Sequence, residues 1–351
     1  MSPPATVPFS ARPPSAPDAG RRGAISPPDF LGERFPEHAF PPASRLEHDY
    51  RRCCERGYAA MAKSRVAITG LARNLADVLP TTIRRIERLR GLFADSRVIV
   101  YENDSTDATK LLLQKWAAGD EGVHVTLEDC HDPRNPPKRC VHRAERMARY
   151  RQRCQEIVLE TCGHFDATIV IDLDVTGGWS EDGVANSFGH RDWDFIGSNG
   201  LVYRREGLQI NSLRQYDMWA LRFDAECTPI PTAQACRFVY GRGEPLVPVT
   251  CCFGGIGIYR MEAYRHGRYG TTDTEHVGFH RAMIDAGFAR LFLNPSQILV
   301  YGRRHRFGDP FVAAVRRAWE SMTGQPAVPW IFGSRRRDAV SRPLPADTAA
   351  A

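Results

Sequence analysis

Two carboxylates one residue apart, Asp172 and Asp174, follow the apolar run Ala167-Thr-Ile-Val-Ile171 and precede Gly177 and Gly178. A short β-branched run bounded by turn residues reads as a buried strand of a parallel sheet. Its side chains alternate, so both acids point the same way if the strand continues through them. Fully burying two unpaired carboxylates is costly, which puts the pair at the strand's open carboxyl end, where ligands bind in open α/β sheets. Two oxygen ligands there suit a hard cation, Mg²⁺ or Mn²⁺, carrying phosphate oxygens; the plainer alternative is an acid pair that caps a loop. A second acidic stretch, Glu102-Asn-Asp-Ser-Thr-Asp107, ends the run Arg97-Val-Ile-Val-Tyr101. Acids in that position accept hydrogen bonds from a nucleotide's base or ribose, or cap the next helix. Gly254-Gly255, lying between apolar segments, signals a bulge or a close backbone approach to a ligand.

The elements that must position these residues alternate. Arg65-Val-Ala-Ile-Thr69 is a strand, and Val78, Ile83, Ile86, Leu89 and Phe93 recur at near-helical spacing. Arg97–Tyr101 is the second strand; Ser105 or Thr106 is placed to cap a helix through Leu111, Leu112 and Trp116, and Val123–Leu127 is the third strand. This alternation predicts a parallel, right-handed α/β half. A polar loop, Asp129 to Lys138, leads to a long helix, Arg139 to Thr161, whose arginines at 139, 143, 146, 149, 151 and 153 spread around much of its surface. Further strands are expected at Trp193–Gly197, around the glycine pair, at Ala289–Leu293 and at Ile298–Tyr301. Helices are expected after Thr271–Glu275 and over Phe311–Met322. Residues 1–45 are rich in Pro, Ala and Ser and predict a disordered segment. A catalytic domain is expected over 46–310, divided near 175 into a nucleotide-binding half (65–175) and an acceptor half (176–310), with a helix and basic tail over 311–351.

The totals exclude several classes. The 351 residues are 42% hydrophobic, and no apolar run approaches the roughly 20 residues of a membrane span. The opening Met-Ser-Pro-Pro-Ala-Thr-Val-Pro lacks the basic and apolar parts of a signal peptide. A cytoplasmic protein is expected, with peripheral attachment to the inner face of the membrane left open. The ten cysteines include the adjacent pairs Cys53-Cys54 and Cys251-Cys252 and no zinc-type CxxC spacing, which reads as reduced thiols. A net charge of +6 without a continuous basic arm points away from nucleic acid.

In order along the chain, Gly70-Leu-Ala-Arg-Asn74, Tyr101-Glu-Asn-Asp-Ser-Thr-Asp107, Asp172-Leu-Asp174, Tyr216-Asp-Met-Trp219, Cys252-Phe-Gly-Gly255 and Glu275-His276 resemble the segments of a GT-A-type glycosyltransferase carrying a DxD motif. Within that fold the set looks most like a bacterial group related to fungal capsule-associated mannosyltransferases. The resemblance implies a GT-A-like, Rossmann-type α/β sandwich with a central, mostly parallel sheet flanked by helices. It implies hexose transfer from a UDP- or GDP-linked sugar to a glycan, lipid-linked or other hydroxyl acceptor, in surface polysaccharide or glycoconjugate synthesis. By the same resemblance Asp172, Asp174 and His305 hold Mn²⁺ or Mg²⁺, and Arg73, Asn74, Glu102, Asp104 and Arg151 serve the nucleoside diphosphate with Asp172. Asp217, Trp219, Gly254 and Gly255 form the acceptor side, and Glu275 is the catalytic base or an acceptor ligand beside the catalytic Asp174. His276 replaces the second acid of the family's usual pair, which leaves inverting and retaining chemistry both open, and Gln152 stands where the family tends to Asn.

Two other readings compete. Ile-Val-Ile-Asp-Leu-Asp-Val-Thr also resembles the first motif of haloacid-dehalogenase-type phosphatases, but no Lys follows position 138 to steady a phosphoaspartate. An inactive carbohydrate-binding relative would keep Trp219 and the glycines without needing both Asp172 and Asp174.

Overall fold

The computed structural model describes residues 32–135, 140–206, 209–235, 237–271 and 273–302. His305, the helix expected over 311–322 and the tail lie outside the described residues, as do residues 1–31.

Helix α1 (Ser44–Met61) leads into β1 (Arg65–Ala72), α2 (Leu79–Arg90), β2 (Asp95–Asn103), α3 (Thr109–Gly119), β3 (Val123–Glu128), α4 (Val141–Cys162) and β4 (Ala167–Ile171). Then come α5 (Glu181–Phe188), β5 (Phe195–Glu206), β6 (Gln209–Gln215), α6 (Thr232–Ala235), β7 (Val247–Pro248), β8 (Ile256–Arg260), α7 (Met261–Tyr264), α8 (Glu275–Asp285) and β9 (Leu291–Val300). The strands form one sheet in the order β3-β2-β1-β4-β8-β5-β9-β7, with β6 paired to β5. The pairs β1–β2, β1–β4, β2–β3 and β5–β9 are parallel, and β8 is antiparallel to both β4 and β5. Strands β1 to β5 and β9 therefore share one direction. The expected α/β architecture, a mostly parallel central sheet flanked by helices, is present.

Alternation along the central strands builds two cores. Ala67, Ile99, Tyr101 and Val170 face Tyr150, Cys154 and Val158 of α4 and Phe279 and Met283 of α8. Val66, Ile68, Val98, Val100, Ile169 and Ile171 face Leu79, Ile86 and Leu89 of α2, Leu113 of α3 and Val184 of α5. All five residues of β4 are buried, which explains why its sequence is a continuous apolar run rather than an alternating one. Each such fully buried Ile or Val contributes about 1.5–3 kcal/mol, so the strand under Asp172 is rigidly seated.

Three expectations need correcting. Within the segment expected to be disordered, the part from residue 32 is ordered: Phe35 is buried, and Glu37 binds Arg242 Nη2 at 2.6 Å and the Ser180 hydroxyl at 2.8 Å, anchors that lie more than 140 residues away. The two strands expected around Pro295 are one strand, β9, because its register against β5 slips between Ser198 and Asn199 and absorbs the proline. The α3 cap is neither Ser105 nor Thr106; Asp107 Oδ1 accepts from Thr109 N at 2.9 Å, while Ser105 Oγ accepts from Asn74 N at 2.9 Å. All nine described cysteines are free thiols, as expected. Among the described residues no helix is long and apolar enough to cross a membrane.

Candidate active site

The carboxyl end of β4 is locked in place before any acid is considered. Asp172 N donates to Gly255 O at 2.9 Å, extending the β4–β8 ladder by one link, and the chain then turns, so Asp174 stands in a turn and not on the strand. Leu173 between them is buried, and Gly70 of β1 lies against it: a Cβ at Gly70 would meet Ile171 O at 2.6 Å and Leu173 Cγ at 2.7 Å. Helix α2 holds the next residues, with Thr82 Oγ1 donating to Leu173 O at 3.1 Å and Arg85 Nη1 to Thr176 O at 3.1 Å. Asp172 and Asp174 both stay partly exposed at this edge.

Arg151 joins this end to α8. Its Nη2 lies 3.1 Å from Asp172 Oδ1 and its Nε 3.1 Å from Glu275 Oε1, with side-chain exposures of 6%, 19% and 14% for Arg151, Asp172 and Glu275. The guanidinium sits 5.0 Å from the centre of the Phe253 ring. Its planar fork suits two carboxylates at once, which an ammonium could not match. Two charges 4 Å apart gain about 4 kcal/mol at an effective dielectric of 20, about what desolvating the ions costs, so the pair contributes geometry more than net stability. Burial works against the Arg151 charge, but Asp172 and Glu275 more than offset it and keep the guanidinium protonated. The Asp172 carboxyl moves upward from the usual carboxylate range. Burial and the repulsion of Asp174 and Asp217 outweigh the attraction of an arginine that is shared with Glu275.

Asp217 arrives from the segment after β6. Its Oδ2 accepts from Gly254 N at 3.4 Å, and Gly254 and Gly255 have φ of 67° and 92°, where only glycine is comfortable. Added Cβ atoms there would collide with Ser198 O at 2.1 Å and with Leu299 at 2.9 Å, so this tight turn requires both glycines. Burial, then repulsion by Glu275, pushes the Asp217 carboxyl up to about 6, against the Gly254 N–H, Arg151 and Arg143. Trp219 is half-buried, with the Arg143 guanidinium 5.8 Å from its ring centre. Tyr216, to which no role was assigned from sequence, stacks on Tyr301 at 4.0 Å and turns its hydroxyl toward Asp172 Oδ2 at 3.5 Å.

Helix α8 splits its first two residues between site and core. Glu275 faces Arg151, whereas His276 is 3% exposed, stacks on Phe253 at 4.1 Å and has no hydrogen-bond partner for either ring nitrogen among the described residues. Burial, then Arg151 and His280, drives its pKa far down and keeps the ring neutral. A carboxylate at 276 would be buried in the same apolar setting, at a cost.

The other predicted residues gather at the ends of β1 and β2. Glu102 is fully buried, with Oε1 accepting from Ser105 N at 2.8 Å and Oε2 without a hydrogen-bond partner among the described residues. Asp104, at φ 55°, accepts from His131 N at 2.8 Å, Asp132 N at 3.1 Å and Asn103 Nδ2 at 2.8 Å. Arg73 Nη2 donates to Asp132 O at 2.6 Å, and Asn74 Oδ1 accepts from Thr106 N at 2.8 Å. Asp104, Cys130 and Asp132 are close enough to share a cation, but the Asp132 carboxylate already accepts from Arg149 and from the Tyr150 hydroxyl at 2.6 Å, and Asp104 is filled by N–H donors. This second group is a loop latch.

The β4 end carries the acids expected to hold a metal. Asp172 and Glu275 both pair with the buried Arg151 guanidinium, and the charges of Asp174 and Asp217 reach Asp172, so hard oxygen donors gather at this end. Magnesium-type ions are commonly held by one or two carboxylates and complete their shell with water and phosphate. Asp172 and Asp174 offer donors of this type, with Asp172 Oδ1 engaged by Arg151, whereas the group of three ligand atoms lying within 4.8 Å of one another among the described residues is Asp104, Cys130 and Asp132.

No family model matches the chain, and no curated protein matches it. Among solved structures, it is similar to a mannosyltransferase from Pyrobaculum calidifontis in complex with GDP-Man and Mn²⁺, at 13% identity and a TM-score of 0.41, covering 73% of this chain and 66% of that one. GalNAc-T7 with UDP, GalNAc and Mn²⁺ matches at 13% identity and 0.41, covering 69% of this chain and 44% of that one. Glucosyl-3-phosphoglycerate synthase from Mycobacterium tuberculosis, with Mn²⁺, UDP and phosphoglyceric acid, matches at 15% and 0.38, covering 77% and 80%. Likenesses this distant identify neither a family nor a substrate.

Proposed function

We propose that the chain is a metal-dependent glycosyltransferase that moves a hexose from a nucleoside-diphosphate sugar to a hydroxyl of a glycan or glycolipid. One observation carries the reading: Arg151 draws Asp172, from the end of a parallel strand, and Glu275, from the start of α8, into one partly open carboxylate cluster with Asp217 and the Gly254–Gly255 turn. Glycosyl transfer from a sugar nucleotide needs an anchor for the diphosphate and an acidic acceptor side within reach of each other, and the gathering of these acids supports that reading.

Asp174 and the Oδ2 of Asp172 would hold the cation, Mn²⁺ or Mg²⁺, whose charge stabilises the departing diphosphate. Arg151 fixes the orientation of both Asp172 and Glu275, so that Glu275 is placed to accept a hydrogen bond or a proton from the acceptor hydroxyl. Asp217 and Trp219 are assigned to the acceptor sugar, with the ring for its apolar face and the carboxylate for its hydroxyls. The nucleoside is assigned to the turn at the end of β2, which Asp104 holds in shape through the loop at 131–132.

Calorimetry with UDP and GDP, with and without Mn²⁺, tests the reading. One diphosphate should bind with Mn²⁺ and lose at least about tenfold in affinity without it. Asp174→Ala should remove that dependence and reduce transfer by about 10²–10³-fold, with the melting temperature unchanged. Metal-independent binding, or full transfer by Asp174→Ala, rules out the metal assignment.

A further inference from the structure

A cavity of about 550 Å³ opens at the sheet edge opposite Asp172, bounded by residues that precede β4, β5 and β9 and by the end of β8. Four arginines line it: Arg191, Arg260, Arg265 and Arg290. The acids in its wall are largely committed. Asp194 holds Arg290 in a forked pair, at 2.6 Å and 3.1 Å, and Asp166 Oδ2 accepts from Arg65 N at 2.7 Å with the Arg65 guanidinium beside it. Glu262 is the remaining acid. Arg191, Arg260 and Arg265 make no ion pair with a carboxylate among the described residues; Arg260 Nη2 donates to Arg191 O at 3.3 Å, and Arg265 Nη2 to Gly163 O at 2.6 Å.

Arg260 is not a loose surface side chain. Its guanidinium carbon lies over the buried Trp193 ring, 4.1 Å from the ring centre, and the indole is itself fixed by Nε1 donating to His190 O at 3.0 Å. A stacked, half-buried guanidinium loses little further freedom on binding an anion. Burial, then the neighbouring Arg290, lowers its pKa against the pull of Asp194, Asp166 and Asp192, as expected for a positive charge that its surroundings do not fully compensate.

We propose that this cavity is a second ligand site, separate from the carboxylate cluster, which binds a phosphate-bearing anion through Arg260 with Arg191 and Arg265 at its mouth. Guanidinium groups pair with phosphate oxygens in forked, charge-assisted hydrogen bonds. The Phe165 and Phe288 rings in its lining give the rest of such a molecule an apolar wall. The site does not depend on the glycosyl-transfer reading.

The test is calorimetry of the full chain in EDTA with inorganic phosphate and with glycerol 3-phosphate, beside co-sedimentation with phosphatidylglycerol vesicles. Binding should weaken about tenfold or more in Arg260→Gln and in the exposed variant Arg265→Gln, and stay unchanged in Asp174→Ala. Arginine-dependent binding of the soluble phosphates identifies a free phosphate ester as the ligand. Arginine-dependent sedimentation that soluble phosphate does not reverse identifies a lipid headgroup. Absence of both, insensitivity to both arginine substitutions, or loss in Asp174→Ala overturns the proposal. If Arg260→Gln unfolds, Arg265→Gln decides alone.

Discussion

The carboxyl ends of β2 and β4 lie one strand apart on the same edge of the sheet, and each carries an acid on the same kind of apolar strand. They are wired in opposite ways. Burial would raise the Asp104 carboxyl, but the Asn103 amide, the N–H groups of Asp132 and His131, and Arg73 outweigh it and hold the pKa below the usual carboxylate range. Asp172 moves the other way, because burial and neighbouring acids outweigh one shared arginine. The difference is donor supply. A loop folds two N–H groups over Asp104, whereas the N–H of Asp172 goes to Gly255 O and its side chain, among the described residues, has Arg151 and the distant Tyr216 hydroxyl. A carboxylate filled by short-range donors holds a loop; one left with unmet charge can meet a ligand.

Removing Arg151 should disturb this contrast most. Arg151→Met keeps much of the stem's volume but leaves Asp172 and Glu275 without their common partner. Urea unfolding should then show a loss of about 3–5 kcal/mol, as for other half-broken buried pairs. A loss below about 1 kcal/mol would mean that water already serves the two carboxylates, and the β4 end would no longer differ in kind from the β2 end.

Arg151 also marks what could be read from the sequence and what could not. Counted with its neighbours, it is one of several arginines on a long helix, and a solvated face explains most of them. Yet it falls on the stripe Ala144, Ala148, Arg151, Gln155, Val158 and Cys162, every member of which is buried. An arginine on the apolar stripe of a helix was the available signal, and spacing alone identifies it. The apolar run of β4, the Asp172–Asp174 pair at its end and the glycine turn were legible for similar local reasons. The saturation of Asp104 was not, because its donors come from His131 and Asp132, which a sequence pattern does not place beside it. Nor was the anchoring of Glu37, whose partners lie far along the chain.

A smaller effect separates the two ends by pH. His280 lies on α8 beneath the β4 cluster, fully buried, with Tyr259 Oη at 3.2 Å from Nε2 and Cys251 Sγ at 3.1 Å from Nδ1; burial lowers its pKa to about 3. The unfolded chain takes up this proton near pH 6.5 and the folded one does not. Its contribution is therefore intact above pH 6.5 and is lost as pH falls toward 3, by about 2 kcal/mol at pH 5. The raised carboxyls of Asp172 and Asp217 act with the opposite sign, favouring the fold as they protonate, so the whole-protein curve mixes the two. The difference between wild type and His280→Gln isolates the histidine. Between pH 7 and pH 5 that difference should move by about 2 kcal/mol in favour of the variant. A constant difference would mean that water reaches the ring.

The smallest and most discriminating test is at Asp104. Asp104→Ala frees the N–H groups of His131 and Asp132 and puts alanine at φ 55°, a region that Asp and Asn tolerate better. Together these changes should cost about 1–2 kcal/mol of stability. Asp104→Asn keeps one carbonyl acceptor and the backbone tolerance, so it should cost less than the alanine variant. If Asp104 acts on the nucleoside only through the loop it holds, nucleoside-diphosphate affinity should follow stability across the two variants, reduced in alanine and largely retained in asparagine. Lost affinity in Asp104→Asn at unchanged stability would instead make the carboxylate a direct nucleoside ligand. The β2 end would then be a second half of the site, reorganised on binding, rather than a latch beside it.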